Sequence, residues 1–339
     1  MEDCRDGTDK RENSMKQIEK TVLNALFGQA TGDAYGVPVE FMSRKEIREY
    51  GLSEMEGVDT KRHPESRWSD LIPAGSWSDD TSMTVASMAS FIACNGKIDY
   101  DSQMKHFIKW WEAGQYCCLN YPFGLGGTID QAMRRYHMKT PVLDCGGKGF
   151  RDNGNGALMR ILPFSLYCIF HELDQEETVK IISEASSITH GNAISQMSCC
   201  IWTEFLRCLV QMKNVDEAIT YVENIDYSQW FSEEELSFVT KKQIRALKEE
   251  DIGETGYVVD TLKTAFYSMC YGHDFASTIR IAVDMGYDTD TSAAVTGTAA
   301  GILYGKENIP ENWFNALRGK ELLEETGRKF AEVLVTDIS

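Results

Sequence analysis

Apolar residues in this chain recur three and four apart along most of its length, the period of a helix that buries one face. From Met15 onward, Ile18, Val22, Leu23, Leu26 and Phe27 follow that spacing. The pattern runs into GQATGDAYGVPVEF (28–41), where Gly28 and Gly32 stand four apart as if for close helix packing. Gly36 and Pro38 are expected to end the helix. Residues 43–76 show little periodicity and read as a loop. In SDDTSMTVASMASFIACNG (78–96), acids lead a helix whose apolar face is Met83, Val85, Met88, Ala89 and Ile92. Further helices are expected over 101–115, 128–138, 157–170, 175–188, 192–213, 215–224, 232–249, 256–271, 274–285 and 291–304. The segment 309–334 reads as two more. Alternating strand patterns are scarce, so the fold class is all-α. No linker or fixed-period repeat interrupts the pattern. The expected organisation is a disordered lead over 1–14 and a single domain over 15–339.

The exceptions to the pattern carry the chemistry. Three acidic clusters each join carboxylates to small residues at a helix end: Gly32-Asp33 with Glu40, Ser78-Asp79-Asp80-Thr81, and Asp288-Thr289-Asp290-Thr291. Taken one at a time, each reads as an N-cap, because a helix N-terminus offers free N–H groups and partial positive charge. Together they read differently. Two of these clusters supply four aspartates and several hydroxyls, each fronting a helix of small or apolar residues that allows close approach. Converging helices of that kind would focus their acids on one point. That concentration of carboxylates requires cations, and an all-oxygen donor set selects Mg²⁺, Mn²⁺ or Ca²⁺ over Zn²⁺.

Two other breaks stand beside these clusters. CGGKGFRDNGNG (145–156) is a glycine loop ahead of an expected helix start, a place for a phosphate or sugar oxygen, although Asn-Gly is also an ordinary turn. Thr189-His190-Gly191-Asn192 separates two helices and puts His190 beside a glycine, where a cap or a ligand contact are both open. Aromatics flank the motifs, among them Trp77, Tyr121, Phe123, Phe150 and Tyr287. They are expected to belong mostly to the core, with one or two free to stack on a ring.

Composition narrows the function classes. Lys and Arg number 34 against 52 Asp and Glu, a formal charge of −18, which repels nucleic-acid backbones and excludes them as the expected partner. The ten cysteines form no CxxC pair, and several lie in apolar helical stretches. They are expected to be buried free thiols in a reducing compartment. The first twenty residues are too charged for a signal peptide, and no apolar run reaches the ~18 residues of a membrane span. A cytoplasmic location, no membrane association and a monomeric state are the expectations.

The motifs GDAYGVPVEF, SWSDDTSM, DNGNGALMRILP, ITHGN and GYDTDTSAAVTG occur in that order across nearly the whole chain. Taken together, they resemble the ADP-ribosylglycohydrolase family, relatives of the dinitrogenase-reductase-activating glycohydrolases, and most of all its bacterial branch. The resemblance implies a compact multi-helix domain with a binuclear Mg²⁺ or Mn²⁺ centre in a central cleft. It implies metal ligands at Ser78, Asp79, Asp80, Asp288, Asp290 and Thr291, with Glu40 on a mobile loop over them. Ser78 stands where the family often has Thr. Catalytic roles fall to Glu40, Asp79 and Asp290, and ADP-ribose contacts to Gly154, Asn155, Gly156, Met159 and His190. The implied activity is hydrolysis of an N- or O-glycosidic bond between ADP-ribose and a protein side chain or small conjugate. Two other readings stay open: a two-metal nucleotide or phosphoester hydrolase, and a non-catalytic ADP-ribose-binding or toxin-immunity protein.

Overall fold

The computed structural model describes residues 2–64, 72–231 and 234–336. The side chains of residues 2–14, 235 and 336 lie outside that description; the backbone of 2–14, expected as part of a disordered lead, belongs to the first helix. Helix α1 runs Glu2–Gly36 and stops where Gly36 and Pro38 were expected to stop it, passing into a 3₁₀ turn at Val37–Val39. The next helices are α2 (Arg44–Tyr50), α3 (Asp79–Ala93), α4 (Tyr100–Ala113), α5 (Gly127–His137) and α6 (Leu162–Phe170). Then come α7 (Gln175–Ser187), α8 (Ala193–Met212), α9 (Val215–Asn224), α10 (Ser237–Thr240) and α11 (Val258–Tyr271). The chain closes with α12 (Phe275–Asp284), α13 (Thr289–Tyr304), α14 (Glu311–Ala316) and α15 (Lys320–Thr336). Among the described residues there are two isolated β-bridges, Gly147 with His190 and Gly154 with Tyr257, and no helix is long and apolar enough to cross a membrane. The fold is all-α.

The centre is built from helices that are small or apolar on every side. Along α13, all residues from Thr289 to Ile302 are buried, and α3 is buried along nearly its whole length. Such helices cannot sit at a surface, and the amphipathic α4 and α15 cover α3 while α12 covers α13. α1 crosses α13 backbone to backbone. A Cβ at Gly28 would run into the Gly297 carbonyl oxygen, one at Gly32 into that of Ala293, and one at Gly301 into that of Asn24. This contact places Asp33, near the end of α1, beside Asp290, at the start of α13. Thr289 fastens the same end by donating from Oγ1 to the Gly36 carbonyl at 2.8 Å.

Three expectations are corrected. Residues 43–76 contain α2, which a Ser43–Glu46 capping box starts and a left-handed Gly51 stops; its seven residues bury only Ile47, too few to set up a period. The helix expected over 232–249 is instead α10 with separate 3₁₀ turns at Glu234–Leu236, Ile244–Ala246 and Glu249–Asp251, and Lys242 at φ 57° breaks it; residues 232–233 lie outside the described residues. The helix expected over 157–170 is a 3₁₀ turn at Leu158–Arg160 followed by α6, with Pro163 in its first turn.

Candidate active site

Both acidic clusters expected at helix mouths are N-caps and first turns. Ser78 caps α3, its Oγ accepting from Asp80 N, and Asp79 and Asp80 open the helix. Asp288 is the capping residue of α13 but makes no side-chain cap bond there. The capping reading is therefore correct for Ser78 and incomplete for the aspartates.

The two mouths meet. Carboxylate oxygens of Asp33, Asp80 and Asp290 lie within 4.8 Å of one another, and so do those of Glu40, Asp288 and Asp290. Asp290 is common to both groups. Asp79 is in neither, but it faces the same cleft from α3, its Oδ1 against Gly124. Asp33, one of the clustered acids in the sequence but outside the implied ligand set, proves central. Its Oδ1 accepts from Ser78 N at 2.9 Å, and its Oδ2 accepts from Thr81 N and Thr81 Oγ1 at 3.1 and 2.7 Å. It thereby sets the first turn of α3. Ser78 Oγ in turn donates to Asp80 Oδ2 at 2.8 Å, while Asp80 Oδ1 is buried without a hydrogen-bond partner among the described residues.

Glu40 lines the same cleft. It follows the 3₁₀ turn at Val37–Val39, its carbonyl lies 3.0 Å from His63 Nε2, and the next residue is tied to the segment carrying Asp288. Phe41 N donates to Tyr287 O at 2.5 Å and Tyr287 N donates to Met42 O at 2.6 Å, with the two rings edge to face at 5.5 Å. Phe41 and Tyr287 both take left-handed φ values, 69° and 64°. The Glu40 and Asp288 loops thus form one rim.

The electrostatics of this cluster call for positive charge. Burial first, then the charges of Asp80, Asp33 and Glu40, push the Asp79 carboxyl well above the usual carboxylate range. Burial, then Asp33 and Asp288, do the same to Asp80. Burial, then Glu40 and Asp80, do so to Asp290. Asp33 is raised by burial to about 6, its bonds to Thr81 and Ser78 holding it back. None of the described residues lining the cleft is a Lys or Arg. An all-oxygen donor set, a buried orphan oxygen on Asp80 and no protein cation together fit hard divalent ions. The thiols play no such part: burial pushes Cys118, Cys168 and Cys199 up to about 12, and the nine cysteines among the described residues are free.

From the acids the cleft, about 280 Å³, extends past Gly124–Ile129 to Gly154, Asn155, Gly156, Met159 and His190. The glycine loop is stitched in place on both sides. Asn155 N donates to Gly256 O and Val258 N to Asn153 O, while Gly147 N donates to Thr189 O and Gly191 N to Gly147 O. Asn155 also reaches the acids: Nδ2 donates to Asp288 Oδ2 and Thr261 Oγ1, both at 2.9 Å. The expected phosphate-holding helix start after this loop is corrected. The loop leads instead into a three-residue 3₁₀ turn, and Met159 N is already bonded to Asn155 O at 3.0 Å. Beyond Gly154 a second groove of about 380 Å³ opens between Phe150, 73% exposed, and Tyr257. The expectation of a core role for the flanking aromatics holds for Trp77 and Phe123 and fails for Tyr121, Phe150 and Tyr287, which are exposed.

Residues 14–338 match the family model for ADP-ribosylglycohydrolase. The chain is 28% identical over 298 residues to ADP-ribosylarginine hydrolase Tri1 of Serratia proteamaculans (strain 568), an overlap of 88% of this chain and 75% of that protein. It is 28% identical over 301 residues to ADP-ribosyl-(dinitrogen reductase) glycohydrolase of Rhodospirillum rubrum, covering 88% and 91% respectively. A solved structure described as an ADP-ribosylglycohydrolase-related protein complex superposes with a TM-score of 0.74 at 25% identity, over 94% of this chain and 99% of that one. With its acids gathered at one cleft and a single family model spanning nearly its whole length, this chain belongs to the ADP-ribosylglycohydrolase family of glycosidic-bond hydrolases.

Proposed function

We propose that this protein is a divalent-metal-dependent hydrolase that removes ADP-ribose from a protein side chain or small conjugate. The observation that carries the reading is Asp290, shared by two triads of carboxylates at one end of a cleft whose other end is the glycine loop. Two Mg²⁺ or Mn²⁺ ions would be held by Ser78, Asp79, Asp80, Asp288, Asp290 and Thr291, with Glu40 at the rim and Asp33 keeping the α3 turn in shape. Bound there, the cations would supply Lewis acidity that orients ribose hydroxyls and acidifies a water. Glu40, when ionised, accepts the proton of the attacking water and returns it to the leaving group. Asn155 fixes the Asp288 carboxylate by donating to it. Gly154, Gly156, Met159 and His190 border the ADP-ribose unit, and the groove between Phe150 and Tyr257 suits a flat aromatic ring such as adenine.

The named relatives make ADP-ribosylarginine the first acceptor to try. The test offers peptides ADP-ribosylated at arginine and at serine, with Mg²⁺, with Mn²⁺ and with chelator, and identifies products by mass spectrometry. Release of free ADP-ribose that chelator stops is the expected result. No release from either peptide, or release indifferent to chelator, would overturn the reading.

A further inference from the structure

Arg160 is out of place by any reckoning of stability. It sits in the 3₁₀ turn after the glycine loop and is 0% exposed. Its Nη2 donates to Ala185 O at 2.9 Å and to Thr189 Oγ1 at 2.7 Å, and its plane lies over the Phe107 ring at 4.9 Å. Nε and Nη1 are buried without hydrogen-bond partners among the described residues. A buried guanidinium satisfied only in part is costly to desolvate, and for packing alone an apolar residue would be the better choice. Its contacts are therefore informative, and one of them is the residue before His190.

We propose that Arg160 is a positioning residue: through Thr189 it holds His190 as the neutral tautomer protonated on Nε2, presenting the cleft with a fixed hydrogen-bond donor. A guanidinium only donates, so Thr189 Oγ1 accepts from it. The Thr189 hydroxyl then has its own proton to place, and its other contact is His190 Nδ1 at 3.0 Å. If Nδ1 carried the ring proton instead, the buried hydroxyl proton would lose that acceptor. The ring proton consequently sits on Nε2, which has no partner among the described residues and opens on the cleft beside Gly154 and Gly156. Gly156 keeps the ring in its slot, since a Cβ there would stand 2.8 Å from His190 Cε1. Burial, then the Arg160 charge, lower the His190 pKa to about 3, so the donor is neutral at working pH. A neutral donor at this end of the cleft suits an oxygen of the ADP-ribose unit, a role that rests on the proposed function.

Nitrogen-15 spectra of the six histidines, with His190 assigned from His190→Asn, read the tautomer in the ligand-free protein. The expected wild-type signal is Nε2–H, unchanged across roughly pH 5 to 8. Thr189→Val is expected to admit the Nδ1–H form and to weaken ADP-ribose roughly ten-fold, as for one lost directional hydrogen bond. Thr189→Ser should retain both properties. Arg160→Lys, which keeps a charged donor, should preserve the tautomer, and Arg160→Met should mix it; if Arg160→Met does not fold, the Thr189 pair decides. A wild-type Nδ1–H signal, a titration within that pH range, or a Thr189→Val tautomer equal to wild type would overturn the relay. Failure of ADP-ribose to bind the wild type would count against the functional reading, while the tautomer readings still judge the relay.

Discussion

Asp290 is where two demands of opposite sign meet. It belongs to both carboxylate triads, so any cation in either one depends on it. Yet burial and its neighbours hold its carboxyl well above the usual range, so in the metal-free protein its ionised form is a burden. Asp290→Asn should separate the two effects. Turnover is expected to fall by at least ~100-fold, the scale seen when a preorganised electrostatic group is removed. The metal-free protein should at the same time melt higher, because the penalty for an ionised buried acid is gone. Retained turnover, or a lower melting temperature in chelator, would contradict this pair of roles. At this scale the sequence is legible where acids abut runs of small residues, which is why Ser78, Asp79, Asp80, Asp288 and Asp290 stand out in it. Asp33 stands out in the same way as a clustered acid, but nothing in the sequence assigns it to the α3 turn, and Arg160 does not stand out at all. Arg160 looks like an ordinary charge within a helical stretch, and only burial, which is a property of the fold, makes it unusual.

Among the elements, the crossing of α1 and α13 does most to create the site. Gly28, Gly32 and Gly36 recur every fourth residue on α1 and face Gly297, Ala293 and Thr289 of α13. The backbones can approach only because the three α1 positions are glycines, and the approach is what puts Asp33 near Asp290. Gly297→Ala would press a methyl into the Gly28 carbonyl oxygen, a backbone atom that cannot step aside. The expected cost is ~3 kcal/mol, the upper part of the overpacking range. Gly28→Ala presses on the same contact, so the pair should cost less together than the sum of the two. Chemical denaturation of the four proteins measures this; additive or negligible effects would show that the helices have room to part. The four-residue spacing of Gly28 and Gly32 announced a close approach from sequence, but not its partner, since contacts between distant segments leave no local period. Short elements were hidden for a different reason. α2 buries one residue and α10 spans four, so neither builds the repeating face by which a helix is recognised.

For the molecule as a whole, charge decides how stability should respond to pH and cations. The chain carries a formal net −18, and part of that charge is a nest of buried carboxyls with raised pKa values. Linkage gives the sign. An acid that titrates at about 4 when unfolded but higher when folded binds its proton more tightly in the native state. Its folding penalty is absent below the unfolded value and grows as pH rises through the folded one, which for Asp33 is about 6 and for Asp79, Asp80 and Asp290 is also raised. The metal-free protein should therefore lose stability as pH rises from about 4 through about 6 and above, and so be less stable at pH 7.5 than at pH 5.5, with surface self-repulsion acting in the same direction. Cations bind the ionised carboxylates and stabilise the fold by mass action, and protons compete with them. Added Mg²⁺ or Mn²⁺ should hence raise the melting temperature more at pH 7.5 than at pH 5.5, and flatten the pH dependence seen in chelator. Thermal unfolding at the two pH values, with chelator and with each metal, measures all of this in one series. A metal-free protein more stable at pH 7.5, or a cation effect equal at both, would mean that the acid cluster is not where the cations act. Asp290→Asn in the same series should remove much of the metal effect at pH 7.5, tying the whole-molecule response to the one carboxylate the two triads share.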